Sequence, residues 1–323
     1  MKSHYTIPVF IPQKACPFQC VYCNQYKITD HQQSLEPKEV INTIERYLTT
    51  FPENAVKRVG FFGGSFTGMS IEEQNRYLDI VQPYIDAGKI DTIQLSTRPD
   101  YISEEILDNL KRHRVSIIEL GAQSLNERIL AIVGRGHSVR DVEEASKMIN
   151  GYGFELGLQM MIGLPGDTRE GAMHTAHKII GLGAKNTRIY PTLVIKDTVL
   201  ERMYNDGEYT PLTLDEAVEW CSELMLLFEA NNVKILRMGL HPSEGLMNHS
   251  SLIAGPFHVS FRELVMTRIW HDRLVKIFAG RNGDEKIVID VPKEEMRYVI
   301  GYGSANRKLL KDNMLKSDMI NFS

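Results

Sequence analysis

The stretch Val56-Lys-Arg-Val-Gly-Phe-Phe-Gly63-Gly64-Ser65-Phe66 is a short apolar run that ends in two glycines and a serine. Its β-branched and aromatic content predicts a strand over Val56–Gly63, and the glycines predict a turn that lets backbone approach a ligand closely. The same pattern recurs on both sides. Upstream, Tyr5–Pro12 is a strand candidate; downstream come Thr92–Thr97, Ser116–Ala122, Glu155–Gly163, Thr187–Val194 and Val233–Leu240. Several are nearly continuous apolar runs, as parallel strands buried on both faces require.

Helical patterns fill the intervals. Val40, Ile41, Ile44, Tyr47 and Leu48 fall on one stripe behind Pro37, a residue suited to a first helical turn. Ser138 with Asp141, and Thr213 with Glu216, have the spacing of capping boxes. The second opens a helix with Leu214, Ala217, Val218, Cys221, Leu224, Met225 and Phe228 on one side. This alternation predicts an α/β fold whose units curl into a full or partial barrel, with chemistry on the loops after the strands' C-terminal ends. The unusual residues fall on those loops. They are the cysteine run after the first strand, Gly63–Phe66, Ser96-Thr97-Arg98-Pro99-Asp100, Gln123-Ser124 beyond Glu119, and Gly163-Leu164-Pro165-Gly166-Asp167.

A chain of 323 residues with 43% hydrophobic content is expected to form one large domain, or one with a small appendage. With no signal-peptide pattern, and no apolar run near the roughly 18–20 residues that span a bilayer, no membrane partner and a cytoplasmic location are expected. The net charge of −4 decides nothing about nucleic acid, but its distribution is uneven. Arg262 to Asp318 holds 12 Lys/Arg against 9 Asp/Glu, a balance of +3, which leaves −7 for the remainder. That contrast hints at an anionic partner for the C-terminal part, although a solvated face is the simpler reading.

Three of the four cysteines lie in Cys16-Pro-Phe-Gln-Cys20-Val-Tyr-Cys23. Clustered thiols in a chain with no export signal read as metal ligands, for either an iron–sulfur cluster or zinc. Structural zinc normally takes four protein ligands. Cys221 belongs to the apolar stripe of a helix, and His31 is a weak fourth candidate. Three ligands leave a position open, as catalytic metal sites do.

The three-then-two spacing, with Tyr22 before the last cysteine, resembles the signature of the radical S-adenosylmethionine (SAM) superfamily. The resemblance implies a [4Fe–4S] cluster on Cys16, Cys20 and Cys23, whose open iron chelates SAM for reductive cleavage to a 5′-deoxyadenosyl radical. It also implies a partial (β/α)6-type TIM-like barrel, and an electron donor such as flavodoxin or ferredoxin. Gly63, Gly64 and Ser65 stand where the superfamily's glycine-rich motif receives the methionyl ammonium. Gln123 and Ser96 are expected on the ribose with Glu119 beside them, and Arg135 on the methionyl carboxylate. Met161 to Gly166 matches the segment that contacts adenine.

Gly-Gly-Ser-Phe-Thr, Ser-Thr-Arg-Pro-Asp, Glu-Leu-Gly-Ala-Gln-Ser, Gly-Arg-Gly-His, Met-Met-Ile-Gly-Leu-Pro-Gly-Asp and Arg188-Ile-Tyr-Pro-Thr together resemble the catalytic subunit of Elongator, which modifies the wobble uridine of tRNA. They resemble its short bacterial relatives more closely still. The resemblance runs from about residue 5 to 245. Elongator spaces its first two cysteines more widely and carries an acetyltransferase domain for which this chain has no room, so acetyl-CoA chemistry is not carried over.

A barrel over residues 1–250 and a small α/β extension over 251–323 are expected. In the extension, a strand over Ile287–Val291, then Pro292 and a helix leading into Gly301-Tyr-Gly-Ser304, partly resemble the glycine loop of KH domains, which clamps RNA phosphates. A helical cap on the barrel is the plainer reading. Arg237, His241 and His258 sit where a substrate would enter and read first as structural. The favoured substrate is a nucleoside in tRNA or other RNA. The alternatives are a porphyrin or other small molecule, as in coproporphyrinogen oxidase relatives, and a non-catalytic RNA-binding module with structural zinc.

Overall fold

The structure, a computed structural model, describes residues 3–11, 20–24, 36–281, 286–314 and 319–322. Seven strands form one sheet: β1 (His4–Ile11), β2 (Val56–Gly63), β3 (Thr92–Thr97), β4 (Val115–Gln123), β5 (Glu155–Ile162), β6 (Asn186–Pro191) and, after a short strand described below, β8 (Lys234–Met238). All neighbours pair parallel, in sequence order, from β1 at one edge to β8 at the other. The sheet curls into a partial (β/α) barrel, as expected.

Helices lie between the strands: α1 (Pro37–Leu48), α2 (Ile71–Asp86), α3 (Glu104–Arg112), α4 (Glu127–Ile132), α5 (Val139–Gly151), α6 (Arg169–Gly181), α7 (Val199–Asn205) and α8 (Leu214–Ala230). Their ends follow local rules. Pro37 occupies the first turn of α1, whose Val40 and Ile44 are buried while Ile41 is 40% exposed. Ser138 opens α5 and Thr213 opens α8, each with the reciprocal capping box its spacing predicts. Cys221 of α8 is fully buried in the apolar core, and burial pushes its thiol pKa up.

One predicted strand is shorter than expected. Thr187–Val194 divides, with β6 ending at Pro191 and β7 (Val194–Ile195) pairing antiparallel with β9 (Leu252–Ala254). Between them, Thr192 turns back on the sheet, its N–H and hydroxyl both donating to the Ile162 carbonyl at 3.0 and 2.7 Å.

Beyond the short helix α9 (Glu244–Met247), the long helix α10 (Phe261–Ala279) packs on α8. The tail then pairs β10 (Val288–Val291) with β11 (Met319–Phe322), and places α11 (Met296–Ile300) and α12 (Arg307–Asn313) between them. The helix expected after Pro292 stops at Ile300, because Gly301 leaves the helical region with φ 85°. Val291 and Val299 of the tail belong to the same apolar core as the barrel strands. Among the described residues, no helix is long and apolar enough to cross a membrane.

Candidate active site

The Cys20–Cys23 turn and residues toward the ends of β2 to β5 converge on one rim. Cys20 is buried and Cys23 half-buried; Cys16 and His31 lie outside the described residues. The Cys20–Cys23 turn is held from two sides, by Val21 N–H on the Val133 carbonyl (3.0 Å) and by Leu200 N–H on the Val21 carbonyl (2.8 Å). Val21 and Tyr22 pack on two small apolar clusters, around Val133 and around Leu200.

Facing the two cysteines is a pocket of about 140 Å³. Gly63, Gly64, Ser65, Ser96, Gln123 and Arg135 all line it, and Arg98 joins them, so positions far apart in the sequence meet Cys20 and Cys23 within one concavity. Gly63 has φ 102°, a region that favours glycine, and Gly64 N–H donates to the Ile11 carbonyl at 3.1 Å, which ties the glycine turn to the end of β1. Ser96 Oγ accepts from Gln159 Nε2 at 3.0 Å.

Strand β4 slips register against β5 between Gly121 and Gln123, and Gln123 takes a left-handed φ of 66°. This kink turns Gln123 into the pocket, where its Oε1 is buried without a hydrogen-bond partner among the described residues. An unsatisfied buried acceptor is costly, and a ribose hydroxyl would satisfy it. Arg135 donates from Nη2 to the Gly121 carbonyl at 2.7 Å, and its Nη1 lies 3.6 Å from Cys20 Sγ. The guanidinium thus complements the negative charge that a thiolate ligand brings. A side chain on Gly121 would put a Cβ 2.9 Å from Arg135 Nη2 and 3.0 Å from Gln123 Nε2, so only glycine leaves both groups in place.

Arg98 is buried and grips Asp100 at 2.9 and 3.0 Å, while donating to the Arg135 carbonyl at 2.8 Å. It orients the turn that carries Arg135. Next to it, His137 is held neutral: burial, with Arg135 and Arg98 beside it, lowers its pKa to about 3.

Glu119 differs from its expected place. It is fully buried and lines neither this pocket nor the neighbouring cavity; its carboxylate is taken by Arg188 (2.9 Å from Nη2), by Gln159 (3.1 Å) and by Gln94. The residue anchors Arg188 from beneath the site. Arg188 in turn lies 4.8 Å over the Phe62 ring.

A larger cavity of about 600 Å³ adjoins the pocket and shares Cys23, Gly63, Ser96, Gln123 and Gln159 with it. Aromatic rings of Phe10, Tyr47, Phe62 and Tyr190 line it, together with Arg188, Arg237 and His241. No carboxylate is among the described lining residues. His258 lies elsewhere, beside Tyr302 of the tail at 5.2 Å between rings, edge to face.

The model of the Radical SAM superfamily matches residues 10–179, and that of the Radical_SAM C-terminal domain matches residues 184–271. The chain belongs to the radical SAM superfamily. It is therefore an enzyme of the class that works with a [4Fe–4S] cluster and SAM, and the reading as a zinc-bound binding module is set aside. This radical SAM chain is 30% identical over 175 residues to the tRNA uridine(34) acetyltransferase of Methanocaldococcus infernus, covering 53% of this chain and 33% of that one. It is 27% identical over 242 residues to the heme chaperone HemW of Bacillus subtilis, covering 72% of this chain and 61% of the relative. It thus spans less than two thirds of either relative's length. In fold, it resembles archaeal Elp3 of M. infernus with a TM-score of 0.67, at 23% identity, over 84% of this chain and 64% of the other.

Sequence reasoning assigns no role to Arg98, Gly121 or Gln159 of this radical SAM site. Each carries a local signal nonetheless. Gln159 is a polar residue between Leu158 and Met160, Gly121 interrupts an apolar strand, and Arg98 follows Ser96 at a strand end.

Proposed function

We propose that the chain modifies a nucleoside in RNA, tRNA first, with SAM held between the glycine turn and β4. Cys16, Cys20 and Cys23 would hold the cluster; Gly63, Gly64 and Ser65 would meet the methionyl ammonium, Arg135 its carboxylate, and Gln123 and Ser96 the ribose. When bound, cluster and SAM supply a carbon-centred radical that takes hydrogen from a substrate or adds to it. This chain's own residues orient the reactants and exclude water. Gln123 would present its buried Oε1 to a ribose hydroxyl, Arg98 fixes the Arg135 turn, and Tyr22 and Cys23 stand on the boundary between pocket and cavity.

The observation that carries the RNA reading is the cavity of about 600 Å³ opening directly from the cofactor pocket, with an aromatic and cationic wall. Flat rings stack an unstacked base, and cations suit the phosphates flanking it. The likeness to a protein named tRNA uridine(34) acetyltransferase supports the same substrate class. The unit from 251 to 323 is read as an RNA-contacting extension, on which Tyr302 is 45% exposed and Arg307 and Lys308 lie at the surface. A flavodoxin or ferredoxin would deliver the electron, in the cytoplasm.

A carboxylated tetrapyrrole is the second reading, favoured by the likeness to a heme chaperone and by the same arginines. The test is anaerobic reconstitution followed by a dithionite-driven assay for 5′-deoxyadenosine, with and without bulk tRNA. About four irons per chain, and turnover stimulated by tRNA and abolished by Cys20→Ala, are expected. Stimulation by coproporphyrinogen and not by tRNA would move the assignment to the tetrapyrrole.

A further inference from the structure

The two arginines of the large cavity are not equivalent. Arg188 is neutralised by Glu119 beneath it, at 2.9 Å. Arg237, on β8, has no carboxylate partner among the described residues; its Nη2 lies 3.4 Å from His241 Nδ1. An arginine only donates, so Nδ1 accepts and Nε2 carries the ring proton. Burial, then the Arg237 charge, hold His241 below the ordinary imidazole range, consistent with that neutral form. Two residues further on, Ser243 lines the same cavity, and its buried Oγ has no hydrogen-bond partner among the described residues.

A half-buried cation and a buried hydroxyl that both lack a partner for their charge or proton among the described residues cost free energy in the ligand-free protein. Both costs vanish when one oxyanion accepts from them. Phe10, Phe62 and Tyr47 line the same cavity and offer flat apolar surface for a ring. We propose that Arg237, His241 and Ser243 form an oxyanion subsite, and that the substrate is a planar ring bearing a phosphate, its ring against the aromatic wall. The phosphate, rather than a carboxylate, rests on the nucleoside reading above; the subsite itself does not.

The test is calorimetric titration of the reconstituted holoenzyme, with SAM present, using uridine 5′-monophosphate, uridine and coproporphyrin III as probes. Uridine 5′-monophosphate is expected to bind about ten-fold or more tightly than uridine. Arg237→Gln should remove that advantage while leaving uridine binding unchanged. Arg237→Lys should restore part of it, because an ammonium supplies charge without the fork. Ser243→Ala should weaken the monophosphate alone, by about three-fold. Circular dichroism checks that each variant is folded. Equal binding of monophosphate and uridine, or an equal loss of both in a folded Arg237→Gln, overturns the subsite. So does a wild-type holoenzyme that binds none of the three probes. Arg237-dependent binding of coproporphyrin III, with no binding of either uridine compound, keeps the subsite and removes the nucleoside reading.

Discussion

Glu119 and Arg188 bring opposite charges into the sheet's interior, where Glu119 is inaccessible and Arg188 is 14% exposed at its side chain. Pairing is what makes this tolerable, since a buried charge left alone costs several kcal/mol. Glu119→Gln leaves Arg188 with neutral partners, and we expect a loss of about 3 to 5 kcal/mol, read by urea denaturation. The double variant Glu119→Leu, Arg188→Met should recover much of that stability, because it removes both charges together. If Glu119→Gln is as stable as the wild type, the pair is not the buried anchor described. The residue type alone carries no such information. A carboxylate near a strand end reads equally well as a ribose ligand or as a counter-charge, and the choice falls to Arg188, 69 positions away.

The βα units are each assembled from local signals, and the loop after β5 shows how one such junction is made rigid. Asp167 accepts from Gly163 N–H at 3.0 Å and from Thr168 N–H at 2.9 Å, while the Tyr209 hydroxyl donates to the Gly163 carbonyl at 2.6 Å. Thr168 then caps α6 through Gly171 N–H. Burial raises the Asp167 pKa from 3.8 to about 6, against the two backbone hydrogen bonds that lower it. The folded state therefore binds this proton more tightly than the unfolded chain does. The resulting stability is fully present below pH 3.8 and is lost as pH rises through about 6. Thermal melts of Asp167→Asn should match the wild type near pH 5 more closely than near pH 7.5, where the variant gains. A difference between variant and wild type that does not change with pH would contradict this.

Barrel and tail share one core: Val265 and Trp270 of α10 and Val299 of α11 belong to the same buried cluster as the barrel strands, and α10 packs on both α8 and α11. Asn306, buried at 1% exposure, stitches the same junction: it donates to the Thr267 and Tyr298 carbonyls at 3.3 Å each, and its Oδ1 lies 3.0 Å from His271 Nδ1. Trp270 Nε1 donates to Glu295 at 2.9 Å. Because the two units bury apolar surface in common, they are expected to unfold together. Fluorescence of Trp220 and Trp270 and far-ultraviolet circular dichroism should give coincident denaturation midpoints; two separated transitions would mean that the tail is an independent unit. Much of this molecule is legible in its amino-acid order. Cysteine spacing points to the family, and apolar runs, caps and glycines locate the seven strands and the loops that carry chemistry, because those signals act over a few residues. The strand predicted over Thr187–Val194 is too long, since the apolar pattern continues past Pro191 whereas the sheet does not. Tertiary structure alone decides which polar groups become neighbours: Arg135 with Cys20 across 115 positions, Glu119 turned to Arg188, and Arg237 brought to His241, with no carboxylate partner among the described residues, on a cavity that Ser243 also lines. Periodicity is a property of one segment. Desolvation and charge pairing belong to the space where segments meet, and only the folded chain creates that space.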